Sequence, residues 1–248
     1  MQSRQSDAFD EVVFSYPHLP ESLDRAVLLI DKPKGWTSFD VIRKLRRVLG
    51  VRKMGHAGTL DPMATGLLIV LVGRATKLMD RFMQLPKVYE GTLRLGEVTP
   101  TYDAESGVTE RRDASAISDE DLETASERFL GEIHQQPPAY SAVKVGGERL
   151  YKKARRGEEV ERPLRRVRVD EFEILARDGT DVSFRVRCSK GTYIRSLAHD
   201  LGEALGVGAH LIALRRTAIG SYSVDHAWSI AGLEQARGQV QSSIKGGV

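Results

Sequence analysis

Residues 55–68 read GHAGTLDPMATGLL. Two glycines, a histidine and an aspartate pinned by the next proline lead into the apolar run GLLIVLVG, residues 66–73. Gly55 and Gly58 allow backbone or a ligand to approach closely. A residue before proline is held extended, which fixes the direction of the Asp61 carboxylate. Asp-Pro is also a common way to open a helix, with Asp as N-cap and Pro at the first helical position. Taken alone, the loop favours the cap. A carboxylate held in a basic surround stays ionised and is able to act as nucleophile or base, so the neighbouring sequence has to decide.

That neighbourhood is basic. Residues 41–60 carry Arg43, Lys44, Arg46, Arg47, Arg52 and Lys53 with no acid, and residues 144–168 carry ten Lys or Arg against four Glu. Acid gathers elsewhere, in residues 1–24 and 101–127. A single basic run is usually a solvated helix face. Two such runs in a chain of net charge +3 point to a polyanionic partner, with nucleic acid ahead of the solvated-face reading.

Outward from the loop, AVLLIDKP (26–33) reads as a buried strand. TSFDVIRKLRRVLG (37–50) reads as a helix capped by Thr37 or Ser38 and ended by Gly50. GLLIVLVG reads as a buried strand, RATKLMDRFMQL (74–85) as a helix and KVYEGTLRLG (87–96) as a strand. Ser118 opens a helix to about Leu130, with Asp121 completing a weak capping box. Residues 137–166 lack any period and suggest a projecting basic thumb loop. VRVDEFEIL (167–175) and DVSFRVRCSK (181–190) read as strands, the second with inward Val182, Phe184, Val186 and Cys188 at a period of two. YIRSLAHDLGEALG (193–206) reads as a helix. Strands and helices without regular βαβ alternation predict an α+β fold around a mixed, mainly antiparallel sheet flanked by helices. The expected division is a flexible acidic extension at 1–25, a catalytic domain at 26–235 and a tail at 236–248.

The 248 residues suffice for a full core. The longest apolar run, LLIVLV at 67–72, is far too short to span a bilayer, and the start of the chain has no signal-peptide pattern. One cysteine excludes an internal disulfide and a CxxC site, so a cytoplasmic protein is expected. Walker, GxGxxG and GxSxG motifs are absent from the sequence, and the six histidines have no ligand spacing. A site without cofactor or metal is the economical expectation.

GHAGTLDPMATGLL closely resembles the central motif of the TruB-type tRNA pseudouridine synthases. The resemblance continues in family order through LLIDKPKGWTS, KVYEGTLRLG with TPTYDAESG, PPAYSAVKVGGERLYKKARRG, CSKGTYIRSLAHDLG and GAHLIALRR, from about Val27 to about Ser223. It implies the pseudouridine synthase fold and a reaction at the T-loop uridine of tRNA, tRNA position 55. It makes Asp61 the catalytic nucleophile and Tyr89 the aromatic that stacks on the target base. Arg195 becomes the partner of the nucleophile, with Tyr193 beside it. His56 becomes a contact to RNA where the base swings out, Lys32 and Pro33 the KP motif near the active-site tyrosine, and Leu214 a pocket wall.

The chemistry agrees. Isomerising uridine breaks C1′–N1 and joins C1′ to C5, which is redox-neutral and needs no energy input. A base stacked in a folded loop must be flipped out, and an aromatic face is its natural platform. The expected partner is the T-stem loop of tRNA, with no membrane, no obligate protein partner and a monomeric state. Most bacterial members of the family carry a C-terminal PUA domain; the short sequence after Ala227 leads to the expectation that this chain lacks one. Two other classes stand beside the enzyme: an RNA-binding or tRNA-folding module, and an Asp-dependent glycosidase. The glycosidase lacks a convincing second carboxylate, since Asp80 and Glu90 lie in no recognisable motif.

Overall fold

The computed structural model describes residues 13–14, 16–20, 22–141, 143–158 and 161–245. The chain divides into two compact units, one formed by Met1–Leu85 with Arg216–Val248 and the other by Pro86–Arg215, where the sequence suggested one catalytic domain.

The first unit begins with β1 (Val13–Phe14), which pairs parallel to β2 (Ala26–Lys32). Part of the expected loose extension therefore adds an edge strand, because edge pairing uses backbone groups and needs no apolar period. The rest of that extension, at 1–12, 15 and 21, lies outside the described residues. Helix α1 (Ser38–Leu49) starts at a full capping box: Thr37 accepts from the Asp40 amide, and Asp40 accepts from the Thr37 amide at 3.0 Å. Gly50 ends it in the left-handed region. Strand β3 (Met54–His56) and strand β4 (Thr65–Val72) flank the GHAGTLDP loop, and both β2 and β3 pair antiparallel with β4.

The continuous hydrophobicity of β2 and β4 follows from their having two covered faces. Leu28, Ile30, Leu68 and Val70 pack with Val41 and Leu45 of α1 and with Leu233. Val27, Leu29, Leu67 and Ile69 face the other way, onto Phe82, Ala75 and Ile219. The segment expected to be one helix after β4 is a 3₁₀ turn, Gly73–Leu78, followed by α2, Met79–Gln84.

The second unit opens with β5 (Lys87–Leu95). A small ribbon of β6 (Glu97–Val98) and β7 (Glu110–Arg111) follows, then α3 (Asp119–Glu127) and β8 (Gly131–Gln135). The Ser118–Asp121 capping box forms, but α3 stops at Glu127, short of Leu130. The thumb segment holds more order than its composition suggests. Strands β9 (Lys144–Val145) and β10 (Glu148–Arg149) make a hairpin, followed by α4 (Leu150–Arg155); Gly146 and Gly147 both adopt positive φ at its tip, a conformation glycine takes without steric cost.

Strands β11 (Arg165–Asp178) and β12 (Asp181–Cys188) are antiparallel, and the local sheet order is β5, β12, β11, β8. Val182, Phe184, Val186 and Cys188 are all buried, as their alternation requires, and the Phe172 and Phe184 rings meet edge-on at 5.7 Å. Helix α5 (Ile194–Ala204) follows. Strand β13 (Ala209–Ile219) gives its residues up to Arg215 to this unit and Arg216–Ile219 to the first.

The first unit closes with β14 (Tyr222–Ser223) and α6 (Ile230–Lys245). The tail expected from residue 236 is thus helical through Lys245. The whole is an α+β fold with a mixed sheet flanked by helices.

Candidate active site

In the first unit, the loop after β3 is held by side chains that lie outside it. Lys32, at the end of β2, is fully buried. Its ammonium donates to the carbonyls of Pro33 (3.0 Å), Trp36 (2.7 Å) and Pro62 (3.4 Å). The Gly35 amide adds a 2.7 Å bond to the same Pro62 carbonyl. Ser38, in the first turn of α1, accepts from the Leu60 amide at 2.9 Å and donates to the Leu60 carbonyl at 3.2 Å. These bonds fasten the DKPKGW turn and the head of α1 to the loop on both sides of Asp61.

Asp61 is half-buried and Pro62 follows it into a turn, closed by the Ala64 amide donating to the Asp61 carbonyl at 3.1 Å. Strand β4 starts at Thr65, so Asp61 caps no helix. The helix-capping role fails for that reason.

His56, the last residue of β3, is half-buried, and its Nδ1 is enclosed with no hydrogen-bond partner. Burial, and then the Arg216 guanidinium, hold its imidazole below the ordinary value; the Gly58 carbonyl acts weakly the other way. His56 is therefore neutral at pH 7. Lys32, expected among the substrate-binding residues, donates to three backbone carbonyls around the loop, and Pro33 supplies one of them.

The second unit carries Tyr89, Tyr193, Arg195 and Leu214. Tyr89 lies on β5 opposite Val186 of β12 and is largely buried. Leu214 is buried on β13. Tyr193 sits at the N-cap of α5, gripped by Gln135. The Tyr193 amide donates to Gln135 Oε1 at 2.8 Å and Gln135 Nε2 donates to the Tyr193 carbonyl at 3.0 Å. Arg195, only 5% exposed, donates to the carbonyls of Thr101 (2.9 Å) and Tyr140 (3.1 Å) and lies 3.4 Å from Asp103 Oδ2.

Asp103 is itself buried and is fixed through Oδ1 by the Thr101 hydroxyl (2.5 Å) and the Glu105 amide (3.0 Å). Tyr102, whose φ of 62° is unusual for a non-glycine residue, stacks on His199 of α5 at 3.8 Å and 7°. Arg162 donates to the Tyr102 hydroxyl at 3.2 Å. Beside them lies a cavity of about 820 Å³, lined among others by Thr99, Pro100, Tyr102, Tyr140 and Arg162. Burial pushes the Asp200 carboxyl up to about 6.

Sequence reasoning missed Ser38, Asp103, Gln135 and Arg216. Arg216 had a readable signal: two residues beyond Leu214 on a strand, it shares the same inward face.

Residues 46–194 match the TruB family pseudouridylate synthase (N terminal domain), and residues 195–244 match the tRNA pseudouridylate synthase B C-terminal domain. The chain belongs to the TruB pseudouridylate synthase family. It is accordingly a pseudouridylate synthase, an isomerase.

Similar proteins include the tRNA pseudouridine synthase B of Mycobacterium sp. (strain KMS), 52% identical over 211 residues, 84% of this chain and 71% of that one. The protein of the same name from Thermobifida fusca (strain YX) is 53% identical over 209 residues, 81% of this chain and 71% of that one. A solved Cbf5-Nop10-Gar1 complex contains a chain with TM-score 0.67 at 34% identity; the match covers 84% of this chain and 53%, about half, of the solved one. Among the described residues, no helix is long and apolar enough to cross a membrane.

Proposed function

We propose that this chain converts uridine to pseudouridine in tRNA, in the T loop at tRNA position 55, with Asp61 as the nucleophile. The observation that carries this reading is the loop geometry. Asp61 sits in a closed turn, its neighbours Leu60 and Pro62 are bound by buried side chains, and a strand rather than a helix follows the turn.

The target base leaves its stack and enters a pocket walled by Leu214. Tyr89 serves as the aromatic platform on which it rests. Breaking C1′–N1 leaves the electron pair on uracil, the ring turns, and C1′ bonds to C5. The C5 proton then leaves and N1 gains one, so nothing is oxidised or reduced. Addition to C6, attack at C1′ and proton removal from the sugar toward a glycal would each be carried by the Asp61 carboxylate. Arg195 balances that charge. His56, neutral at pH 7, meets the RNA as a hydrogen-bonding group where the base swings out. Tyr193 lines the path beside Arg195. The Lys and Arg of residues 41–60 and 144–168 hold phosphates.

The test is Asp61→Asn with unmodified tRNA and pseudouridine mapped by position. Loss of a nucleophile lowers the rate by about three orders of magnitude or more, while tRNA binding persists and weakens steeply with salt. Unchanged pseudouridine formation would overturn the reading, and modification mapped elsewhere would overturn the site assignment.

A further inference from the structure

We propose that Arg216 is a positioning residue for the reaction, whose buried guanidinium fixes the backbone of Gly58 and Thr59 and thereby the place of Asp61. This rests on the reading of Asp61 as nucleophile. Arg216 is 1% exposed and, with Lys32, is among the largest fully buried side chains. Its Nε donates to the Leu67 carbonyl at 2.7 Å, Nη2 to the Gly58 carbonyl at 3.1 Å and Nη1 to the Thr59 carbonyl at 3.4 Å. One planar group thus ties β4, just downstream of Asp61, to the two residues just upstream of Leu60.

The choice of arginine has a physical reason. Burying a charge costs far more than burying a methionine of similar size, so filling space does not explain it. A guanidinium presents its donors in a rigid fork that reaches several acceptors at set angles, which an ammonium does not. The glycines around it fit the same arrangement. Gly58 has φ +105°, and a Cβ there would come to 3.6 Å from Arg216 Nη1. Gly66 has φ +100°, and a Cβ there would run into the Arg216 backbone. Gly66 thus leaves room for the backbone of the strand that carries Arg216, and at Gly58 it is the positive φ that asks for glycine. Lys32 and Ser38 also hold the loop, so these supports all lie in the first unit. The guanidinium also places a fixed positive charge near His56, part of why that imidazole stays neutral.

The experiment compares Arg216→Lys and Arg216→Gln with the wild type in single-turnover pseudouridine formation at saturating unmodified tRNA, alongside tRNA binding and NMR titration of His56. An ångström of misplacement costs about 100-fold in rate. The expected result is a loss of that order in Arg216→Gln and a smaller loss in Arg216→Lys, with the tRNA dissociation constant unchanged. The His56 imidazole should titrate at higher pH in Arg216→Gln and stay near the wild-type value in Arg216→Lys. A folded variant within twofold of the wild-type rate overturns the proposal, as does a rate loss matched by an equal loss of binding.

If neither variant folds, the wild-type protein decides. Arg216 Nη hydrogens should resist solvent exchange in the NMR spectrum, and exchange as fast as at surface arginines overturns the proposal. Asp61→Asn runs in parallel. Full activity there removes the nucleophile assignment itself, whereas an inactive Asp61→Asn beside a fully active Arg216→Gln removes only the role of Arg216.

Discussion

The GHAGTLDP loop of the first unit and the thumb segment of the second, a hairpin followed by a short helix, both depend on cations. They use them in opposite ways. Around the loop, Lys32 and Arg216 are buried and donate to backbone carbonyls. In the thumb, Arg156 is exposed and pairs with Glu148 at 2.8 Å and Glu158 at 2.6 Å. A buried cation on carbonyls has no cheap alternative partner, so it fixes geometry. An exposed guanidinium on carboxylates is solvated and screened, and it exchanges them for phosphates at little cost. Reacting atoms need the first arrangement, and a surface that meets a polyanion needs the second.

The contrast is breakable at both ends. Lys32→Met keeps the volume and removes three charge-assisted bonds. At about 1–3 kcal/mol for each group left unsatisfied, the expected loss of stability is about 3 kcal/mol or more, a fall of roughly 6–12 °C in Tm. Thermal unfolding measures it, and an unchanged Tm would mean that the loop is held by packing alone.

Asp200→Asn gives a medium effect with a definite sign. The Asp200 carboxyl, raised to about 6 by burial, binds its proton more tightly folded than unfolded. Its contribution is fully present below the ordinary carboxylate value of 3.8 and is lost as pH rises through about 6. The wild type should lose this stabilisation between about pH 4 and 6, and Asp200→Asn should flatten that part of the Tm–pH curve. A parallel curve for the two proteins would sink the assignment.

The smallest effect is Arg156→Ala. It should leave Tm unchanged within error, since exposed pairs contribute little, while weakening tRNA binding in a salt-dependent way. A large fall in Tm would erase the distinction between the two regions.

The legible parts of the fold are those set by local chemistry. Thr37, Asp40 and Gly50 bound α1 because caps act within four residues, and the alternation of Val182 to Cys188 places β12. The two-faced burial of β2 and β4 accounts for their unbroken apolar runs. The 3₁₀ turn at Gly73–Leu78 was not legible, because RATKLMDRFMQL carries helical composition throughout and no breaker marks the change. In the candidate site, Asp61 stands out in the sequence because its loop is a contiguous motif. Ser38 and Gln135 do not, because their partners are backbone groups 22 and 58 residues away. A side chain that binds a carbonyl leaves no complementary residue type in the sequence to pair it with.

That same choice of partner leaves the loop open to chemical labelling. Arg216 holds the carbonyl of Thr59, while the Thr59 side chain is exposed. Cys188, the single cysteine of the chain, is buried. A thiol introduced as Thr59→Cys would be the accessible one, giving a fluorescent reporter two residues from Asp61 whose anchoring bonds are untouched by the label.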